Sequence, residues 1–224
     1  HFRRNTLAGL ALAAESRSAL DALSTRHGLE FAHKVAGKIH IYRTAASFAA
    51  AEAMVTLKKA GGASQVLLDP DAAVALEPML APVRAGMVGA LHTVDEAVGD
   101  PHLFCIGAHA ALLRAGGSSL FGVEVGRIEA NGGKPPVATR EGSRVPADRI
   151  ILSAGTGAPR LARQLGVHLP IQPMKGYSIT TLPGPAAPTA SITDVANRVV
   201  FARLGNRMRI AGLAGLGKRG TMVG

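Results

Sequence analysis

The chain has 224 residues, of which 47% are hydrophobic and 18% charged, a composition typical of one large globular domain or two small ones rather than a disordered segment. Its single cysteine excludes an internal disulfide framework and a cysteine-rich metal site, and the sequence has no apolar run of about 18 residues that would predict a transmembrane helix. The net charge of +10 favours anionic partners, but the aromatic content of only 4% and the lack of a recognisable nucleic-acid module argue against nucleic acid.

The first sixty residues predict two helices around a pair of strands. Leucines and alanines recur at helical spacing over 7–26, and a glycine follows, so this segment is predicted as an α-helix with a glycine cap. The stretch 31–44 alternates apolar and polar side chains, and a turn at Ala36 and Gly37 predicts that it folds as a β-hairpin. A second helix is predicted over about 46–60, where a Gly-Gly pair ends it.

Three positions have the composition of a helix N-cap. Thr44 precedes the second helix, and Asp69 and Asp100 each precede a proline, which is favoured in the first turn of a helix. We therefore expect a short helix after Asp69 and a longer one that starts after Asp100 and ends near residue 115. Cys105 lies in the apolar pattern of this longer helix and is predicted to be a buried small hydrophobic residue.

The predicted strands are expected to form two different sheets. The middle of the chain, about 93–170, has an α/β rhythm, whereas the flanking regions are predicted to be antiparallel. Gly205 and Asn206 are predicted to join two late strands as a hairpin. The strands are predicted at 66–69, 86–93, 118–121, 123–130, 137–142, from 144, 150–152, 171–181, 198–204 and 207–213.

The stretch DRIILSAGTGAP, residues 148–159, predicts a buried apolar strand that ends in small residues before a helix. Small residues at Ala154 and Gly155 allow the backbone to approach a phosphate or a ribose without a clash at Cβ. The free N–H groups at the start of the following helix favour anions. A plain strand-to-helix turn explains the same residues without any ligand, and both interpretations remain open at this point.

No glycine-rich dinucleotide fingerprint of the form Gly-x-Gly-x-x-Gly follows a first strand. The run GLAGLGKRG at 212–220 and the GTG at 155–157 have the wrong spacing or the wrong context. Spacing and composition alone therefore predict an α/β domain with an edge that favours anions.

Four separated stretches occur in a characteristic order along the chain: AGKIHIYRT (36–44), LEPML (76–80), DEAVGDPHLFC (95–105) and DRIILSAGTGAPRLARQLGVHLPIQPMKGYSIT (148–180). They resemble the D-amino acid dehydrogenases of the small-subunit type, within the FAD-dependent D-amino acid oxidase superfamily. The likeness covers about residues 1–215.

This resemblance implies a mixed α/β (α+β) fold that combines part of an FAD-binding, Rossmann-like domain with an antiparallel-sheet substrate domain. Residues 1–92 would supply mainly helices and the hairpin of the substrate domain, 93–170 part of the FAD-binding domain, and 171–224 further antiparallel strands of the substrate domain. In that family the glycine-rich FAD loop lies N-terminal to these motifs. Its absence here therefore suggests an internal fragment.

The resemblance also implies which residues bind ligands. Val125 matches a valine whose backbone contacts adenine, and Ala154 and Gly155 match small residues beside the ribose and pyrophosphate of FAD. Lys175 and Tyr177 match the segment that passes beside the isoalloxazine and binds substrate, and Tyr177 either faces the substrate or packs. Neither a catalytic residue nor a metal ligand is assigned.

The function implied is oxidative deamination of D-amino acids to 2-oxo acids and ammonia, with hydride transfer from Cα to flavin N5. A glycine- or sarcosine-type amine oxidase and an inactive fragment without the FAD loop are the alternatives. The implied partners are a small D-amino acid and a quinone at a membrane surface, and the implied location is the cytoplasm, with peripheral attachment to the inner membrane left open. The basic surface would favour an acidic membrane, although salt would screen each contact.

Overall fold

The structure is a computed structural model, and it describes residues 1–129 and 137–216. Within these residues the chain forms five α-helices, two 3-10 helices and twelve β-strands, which confirms the expected mixed α/β class. The helices are α1 (Phe2–His27), α2 (Ala45–Ala60), α3 (Pro70–Leu76), α4 (Pro101–Arg114) and α5 (Ala158–Arg163), and the 3-10 helices are Pro78–Gly86 and Gly155–Gly157. The strands are β1 (Lys34–Val35), β2 (Lys38–Tyr42), β3 (Gln65–Leu68), β4 (Gly89–Thr93), β5 (Ala97–Val98), β6 (Val125–Ile128), β7 (Val137–Thr139), β8 (Arg144–Val145), β9 (Met174–Thr181), β10 (Ser191–Asp194), β11 (Val199–Leu204) and β12 (Arg207–Leu216).

The chain divides into two compact units, which we call the first and the second unit. The first consists of His1–Gly116 and Gly176–Leu213, and the second of Gly117–Lys175 and Ala214–Gly224. How the chain is shared between a cofactor domain and a substrate domain stays a prediction.

A seven-stranded mixed sheet, most of which belongs to the first unit, has the strand order β3-β4-β2-β10-β11-β12-β9. Strands β2 and β10 run parallel, whereas the pairs β2–β4, β3–β4, β10–β11 and β11–β12 are antiparallel. Two smaller sheets consist of β1 with β5 and of β6, β7 and β8 in that order. The second unit contains the three-stranded sheet.

Both faces of the large sheet are packed, because successive side chains of a strand point to opposite faces. On one face Ile39 and Ile41 of β2 pack with Ile192 of β10 and with buried residues of α3 and the 3-10 helix that follows it. On the other face Tyr42 and Leu91 pack with Val55 of α2. The central strands are therefore enclosed by helices of the same unit.

Each of the three predicted N-caps is confirmed. The hydroxyl of Thr44 accepts a hydrogen bond from the backbone N–H of Ser47 at 3.3 Å, and the Asp69 carboxylate accepts one from Ala72 at 2.8 Å. The Asp100 carboxylate accepts bonds from the first turn of α4 at 2.9 and 3.3 Å, and it also pairs with Arg207 at the start of β12. The predicted hairpin between β11 and β12 is confirmed as well.

The predicted hairpin over 31–44 is wrong. Strand β1 pairs with β5, whereas β2 pairs with β4 and β10, so the two halves of the stretch join different sheets. The turn between them is held by the carbonyl of Glu96, which accepts bonds from the N–H groups of Ala36 and Gly37 at 3.2 and 3.0 Å. Gly37 has φ +69°, and a Cβ there would lie 2.7 Å from Nε2 of His92, so this position requires glycine.

Two predicted strands and one predicted buried residue are also wrong. Residues 118–121 and 150–152 form no strand, and the side chain of Ile151 is 91% exposed because no neighbouring strand pairs with it. Cys105 is exposed, because α4 buries only Ala111 and the cysteine lies on a different face of the helix. Residue 130 of the strand predicted over 123–130, and residues 217–220 of the glycine-rich run, lie outside the described residues.

Within the part of the chain that the structure describes, no helix is both long and apolar enough to cross a membrane.

Candidate functional site

The second unit contains an open cleft of about 590 Å³, a volume within the range of about 300–1,000 Å³ that is usual for small-molecule sites. It lies where β6, the segment 150–154 and α5 approach one another. Its lining is mostly apolar, with one cation and one anion. The lining residues are Val123, Glu124, Val125, Ile128, Val137, Ile150, Ile151, Leu152, Ser153, Ala154, Gly157, Arg160 and Leu161.

Small residues form one side of this cleft. Ala154 is exposed, and the 3-10 turn that follows it begins at Gly155, whose φ of +52° lies in the left-handed region. A Cβ added at Gly155 would have no heavy atom within 4 Å, so the space beside this turn is open. The turn leads into α5, which is anchored by the buried side chains of Ala158, Leu161 and Ala162.

Helix α5 and its C-cap hold β6 through two side chains, Arg160 in the helix and Gln164 directly after it. The guanidinium of Arg160 donates to the carbonyls of Val125 at 2.8 Å and Gly126 at 3.1 Å. The amide of Gln164 donates to the carbonyl of Gly126 at 3.2 Å and accepts a bond from the N–H of Ile128 at 3.3 Å. Positions i and i+4 of a helix share one face, which is why both side chains reach the same strand.

Charges on the three-stranded sheet are paired. Glu124 lies 2.7 Å from Arg140 and 3.6 Å from Arg160. Glu129 pairs with Arg127 and with Arg144. Burial raises the pKa of Glu129, but hydrogen bonds from these two arginines outweigh that effect, so its pKa lies below the usual value and it is a carboxylate at neutral pH.

The structure brings two of the five predicted site residues together. Val125 and Ala154 line the same cleft, and Gly155 directly follows Ala154 in the open turn. Lys175 and Tyr177 lie on β9 and are not lining residues of this cleft, and the side chain of Tyr177 is 45% exposed.

Sequence reasoning missed Arg160, Gln164 and Glu124. Polar side chains at i and i+4 along a short helix and its C-cap are a signal for contacts to one neighbouring element, but their partner is a backbone that only the fold identifies. These residues therefore become visible only when α5 is placed against β6.

The cleft fits part of a dinucleotide. Its walls are apolar enough to cover a planar base, and the open space at Ala154 and Gly155 admits a bulky group that larger side chains would exclude. Among residues 1–129 and 137–216 no group of three or more His, Cys, Asp or Glu side chains is arranged to hold a metal ion.

Comparison with known families gives the class of protein. The family described as "DAO: FAD dependent oxidoreductase" matches residues 2–221, nearly the entire chain. The chain belongs to this family of FAD-dependent oxidoreductases.

Particular relatives refine this class. A D-amino acid dehydrogenase from Methylobacterium nodulans is 36% identical over 228 residues, which cover 100% of this chain and 54% of the relative. One from Dechloromonas aromatica is 36% identical, with 95% of this chain and 52% of the relative covered. The chain thus spans about half the length of the curated relatives it matches. Glycine oxidase from Geobacillus kaustophilus has a similar fold, with a TM-score of 0.83 at 21% identity over 97% of this chain and 58% of the oxidase.

Proposed function

We propose that the protein catalyses FAD-dependent oxidative deamination of D-amino acids, giving 2-oxo acids and ammonia. The observation that carries the proposal is the similarity of the entire chain to D-amino acid dehydrogenases. The cleft beside Ala154 and Gly155 supports it, because the second unit offers an apolar, sterically open surface of suitable size for the cofactor of this family.

In this proposal Val125, Ala154 and Gly155 contribute to holding FAD. Val125 lines the cleft at β6, and the absence of a large side chain at Ala154 and Gly155 lets the cofactor lie against the main chain. Lys175 and Tyr177 are proposed to contact the substrate from β9. An exposed phenol and an ammonium are suitable for the carboxylate of an amino acid.

FAD held by Val125, Ala154 and Gly155 would supply the electron sink for the hydride that leaves the substrate Cα. The amine loses a proton in the same conversion, and water then hydrolyses the resulting imino acid to the 2-oxo acid and ammonia. The protein has to bind the carboxylate and hold Cα in a reactive orientation. Such chemistry needs no nucleophile–base pair.

The proposed electron acceptor is a quinone, reached by a cytoplasmic protein that associates peripherally with the inner membrane. The support for this part is the net charge of +10, which favours an acidic lipid surface. Binding to vesicles that contain anionic lipid is expected to weaken as salt is raised from about 50 to 200 mM, because screening shortens the range of the attraction.

The test is an assay of the purified protein, expressed from its complete coding sequence and supplied with FAD. We expect reduction of an artificial electron-accepting dye with D-amino acids and not with their L-enantiomers, together with stoichiometric release of ammonia. Retained flavin absorbance after gel filtration should accompany the activity.

The same assay separates the alternatives. Hydrogen peroxide production with glycine or sarcosine, without dye reduction by larger D-amino acids, would identify an amine oxidase instead. Purified protein that neither retains nor binds flavin would identify an inactive remnant, and the proposal would be withdrawn.

A further inference from the structure

The backbone of β6 is irregular where it borders the cleft. Its pairing with β7 shifts register between Val125 and Arg127, so Gly126 occupies a β-bulge. The extra residue of a bulge is left out of the strand ladder. The carbonyl of Gly126 instead accepts two side-chain hydrogen bonds from α5, from Arg160 and Gln164, and the carbonyl of Val125 accepts a third, again from Arg160.

Arg160 lines the cleft, but its guanidinium already binds other groups of the protein. Its two terminal nitrogens donate to backbone carbonyls, and the Glu124 carboxylate lies 3.6 Å from one of them. A cation that contacts a diphosphate needs donors directed at the ligand and an unneutralised charge. The N–H donors of Arg160 are directed at backbone carbonyls of the protein and not at a ligand.

The surface that Arg160 holds in place is suited to a planar base. Val125 lines the cleft, and the neighbouring walls are apolar side chains such as Val123 and Ile150. Backbone groups recognise the polar edge of a base, while aliphatic side chains cover its faces.

We propose that Arg160 is a positioning residue that fixes the bulged edge of β6 and thereby sets the affinity of the cleft for the adenosine half of FAD. It acts through the backbone of Val125 and Gly126, without contact to the diphosphate. This inference rests on the proposed FAD-dependent function and goes beyond it by assigning a role to α5.

The experiment compares the wild-type protein with Arg160→Met, which retains the length of the side chain and removes its donors. The matched control is Arg163→Met on the same helix, which is exposed and makes the same change in charge. FAD binding to the apoprotein is measured by flavin fluorescence, and adenosine, ADP and riboflavin are tested as competitors.

We expect Arg160→Met to raise the Kd of FAD about tenfold, as the loss of charged hydrogen bonds to the backbone implies. The affinities of adenosine and ADP for Arg160→Met should fall by the same factor, and the affinity of riboflavin should be unchanged. Arg163→Met should bind all of them as the wild type does. If the affinity of ADP falls and that of adenosine does not, Arg160 contacts the phosphates, and the inference is overturned. Unchanged FAD affinity, or equal weakening of riboflavin, also overturns it.

Two further measurements keep the test decisive. If Arg160→Met lowers the melting temperature of the apoprotein, Arg160→Lys replaces it, because lysine keeps the charge near Glu124 and cannot span two carbonyls. That variant should weaken FAD and adenosine equally by about threefold, with riboflavin unchanged, and any other pattern contradicts the role of Arg160. If the wild-type protein does not bind FAD, the proposed function itself is wrong. If the wild type binds FAD and the variant binds it with the same affinity, only this inference is wrong.

Discussion

The core of the large sheet in the first unit and the border of the cleft in the second unit differ in how far their large apolar side chains are exposed. In the first unit Ile39 is fully buried, and the carboxylates of Glu77 and Asp100 are only 1% and 2% exposed. In the second unit Ile151 and Phe121 are largely exposed. Among the described residues of the second unit, the buried apolar side chains are three alanines and two larger residues, namely Ala138, Ala158, Ala162, Ile128 and Leu161.

This contrast indicates that one region mainly stabilises the fold and the other mainly offers a surface to a ligand. A core that buries its large side chains and satisfies its buried carboxylates is stabilised by its own contacts. A unit that leaves apolar residues at the border of an open cleft provides surface for a ligand. Substitutions in the core of the large sheet should therefore mainly change the free energy of unfolding, and substitutions around the cleft should mainly change cofactor binding.

The largest effect is expected for Glu77→Ala. The Glu77 carboxylate accepts three hydrogen bonds from Thr189 and Ala190 at 2.8 to 3.0 Å and one from Met79 at 3.4 Å. Removing it leaves these donors unsatisfied in the interior, so the free energy of unfolding should fall by about 4 kcal/mol, measured by urea denaturation. Glu77→Gln keeps an acceptor and should lose only about half as much. Equal losses for the two variants would contradict this account.

A pair of identical substitutions compares the two units directly. Ile39→Ala creates a cavity in the core of the large sheet and should lower the free energy of unfolding by about 3 kcal/mol. Ile151→Ala removes a side chain that is already in solvent and should change it by less than about 0.5 kcal/mol. Denaturant titration of both variants checks the difference, and a large loss for Ile151→Ala would show that the second unit also depends on this residue.

The sequence predicted those parts of the fold that depend on near neighbours. Caps at Thr44, Asp69 and Asp100 involve a side chain and an N–H two or three residues away, and the hairpin at Gly205 depends on its turn. The stretch 31–44 was mispredicted because alternation shows that a strand exists and not which strand it pairs with. The apolar run at 150–152 is compatible with a buried strand and also with an exposed segment at the border of a cleft, and periodicity cannot distinguish the two.

The candidate site was predictable only in part, for a related reason. Small residues at Ala154 and Gly155 are visible in the sequence because the absence of a side chain is itself the signal. Placing Val125 beside them required the family resemblance. The contacts of Arg160 and Gln164 with the bulge at Gly126 depend on a backbone irregularity that has no sequence signature of its own. That Val125, Ala154 and Gly155 bind FAD remains a proposal.

The first unit should also depend on pH through His40. Burial lowers the pKa of His40 to about 4, with Lys38 and Lys58 adding to the effect. Because the unfolded chain has the ordinary pKa of 6.5, the unfolded state takes up the proton first as the pH falls. The stability from neutral His40 is therefore fully present above about pH 6.5 and is lost by about pH 4. We expect a loss of about 2 kcal/mol, less than the full shift implies because solvent screens a partly buried group.

His40→Leu should remove this part of the pH profile, whereas the exposed His102→Gln should leave it unchanged. The carboxylate of Asp194 does not interfere in this window. Burial raises its pKa, but hydrogen bonds from Arg43 and Asn197 outweigh that effect, so its stabilising charge is lost only below the ordinary value of 3.8. Urea denaturation at several pH values between 7 and 4 measures the slope, which should be smaller in His40→Leu than in the wild type. Burial also lowers the pKa of His92, so His92 retains part of the slope.

Ala154→Leu is expected to have the smallest effect on the free energy of unfolding. It should also separate stability from cofactor binding most clearly. Ala154 is exposed at the border of the cleft, so a larger side chain should change the free energy of unfolding by less than about 0.5 kcal/mol. The same side chain would fill the space proposed for FAD and should raise its Kd at least about tenfold, since even one misplaced contact costs more than about 1.4 kcal/mol. Ala49→Leu, at an exposed position of α2, is the matched control and should change neither quantity. FAD titration beside denaturant unfolding measures both quantities, and unaltered FAD affinity in Ala154→Leu would show that the cofactor lies elsewhere.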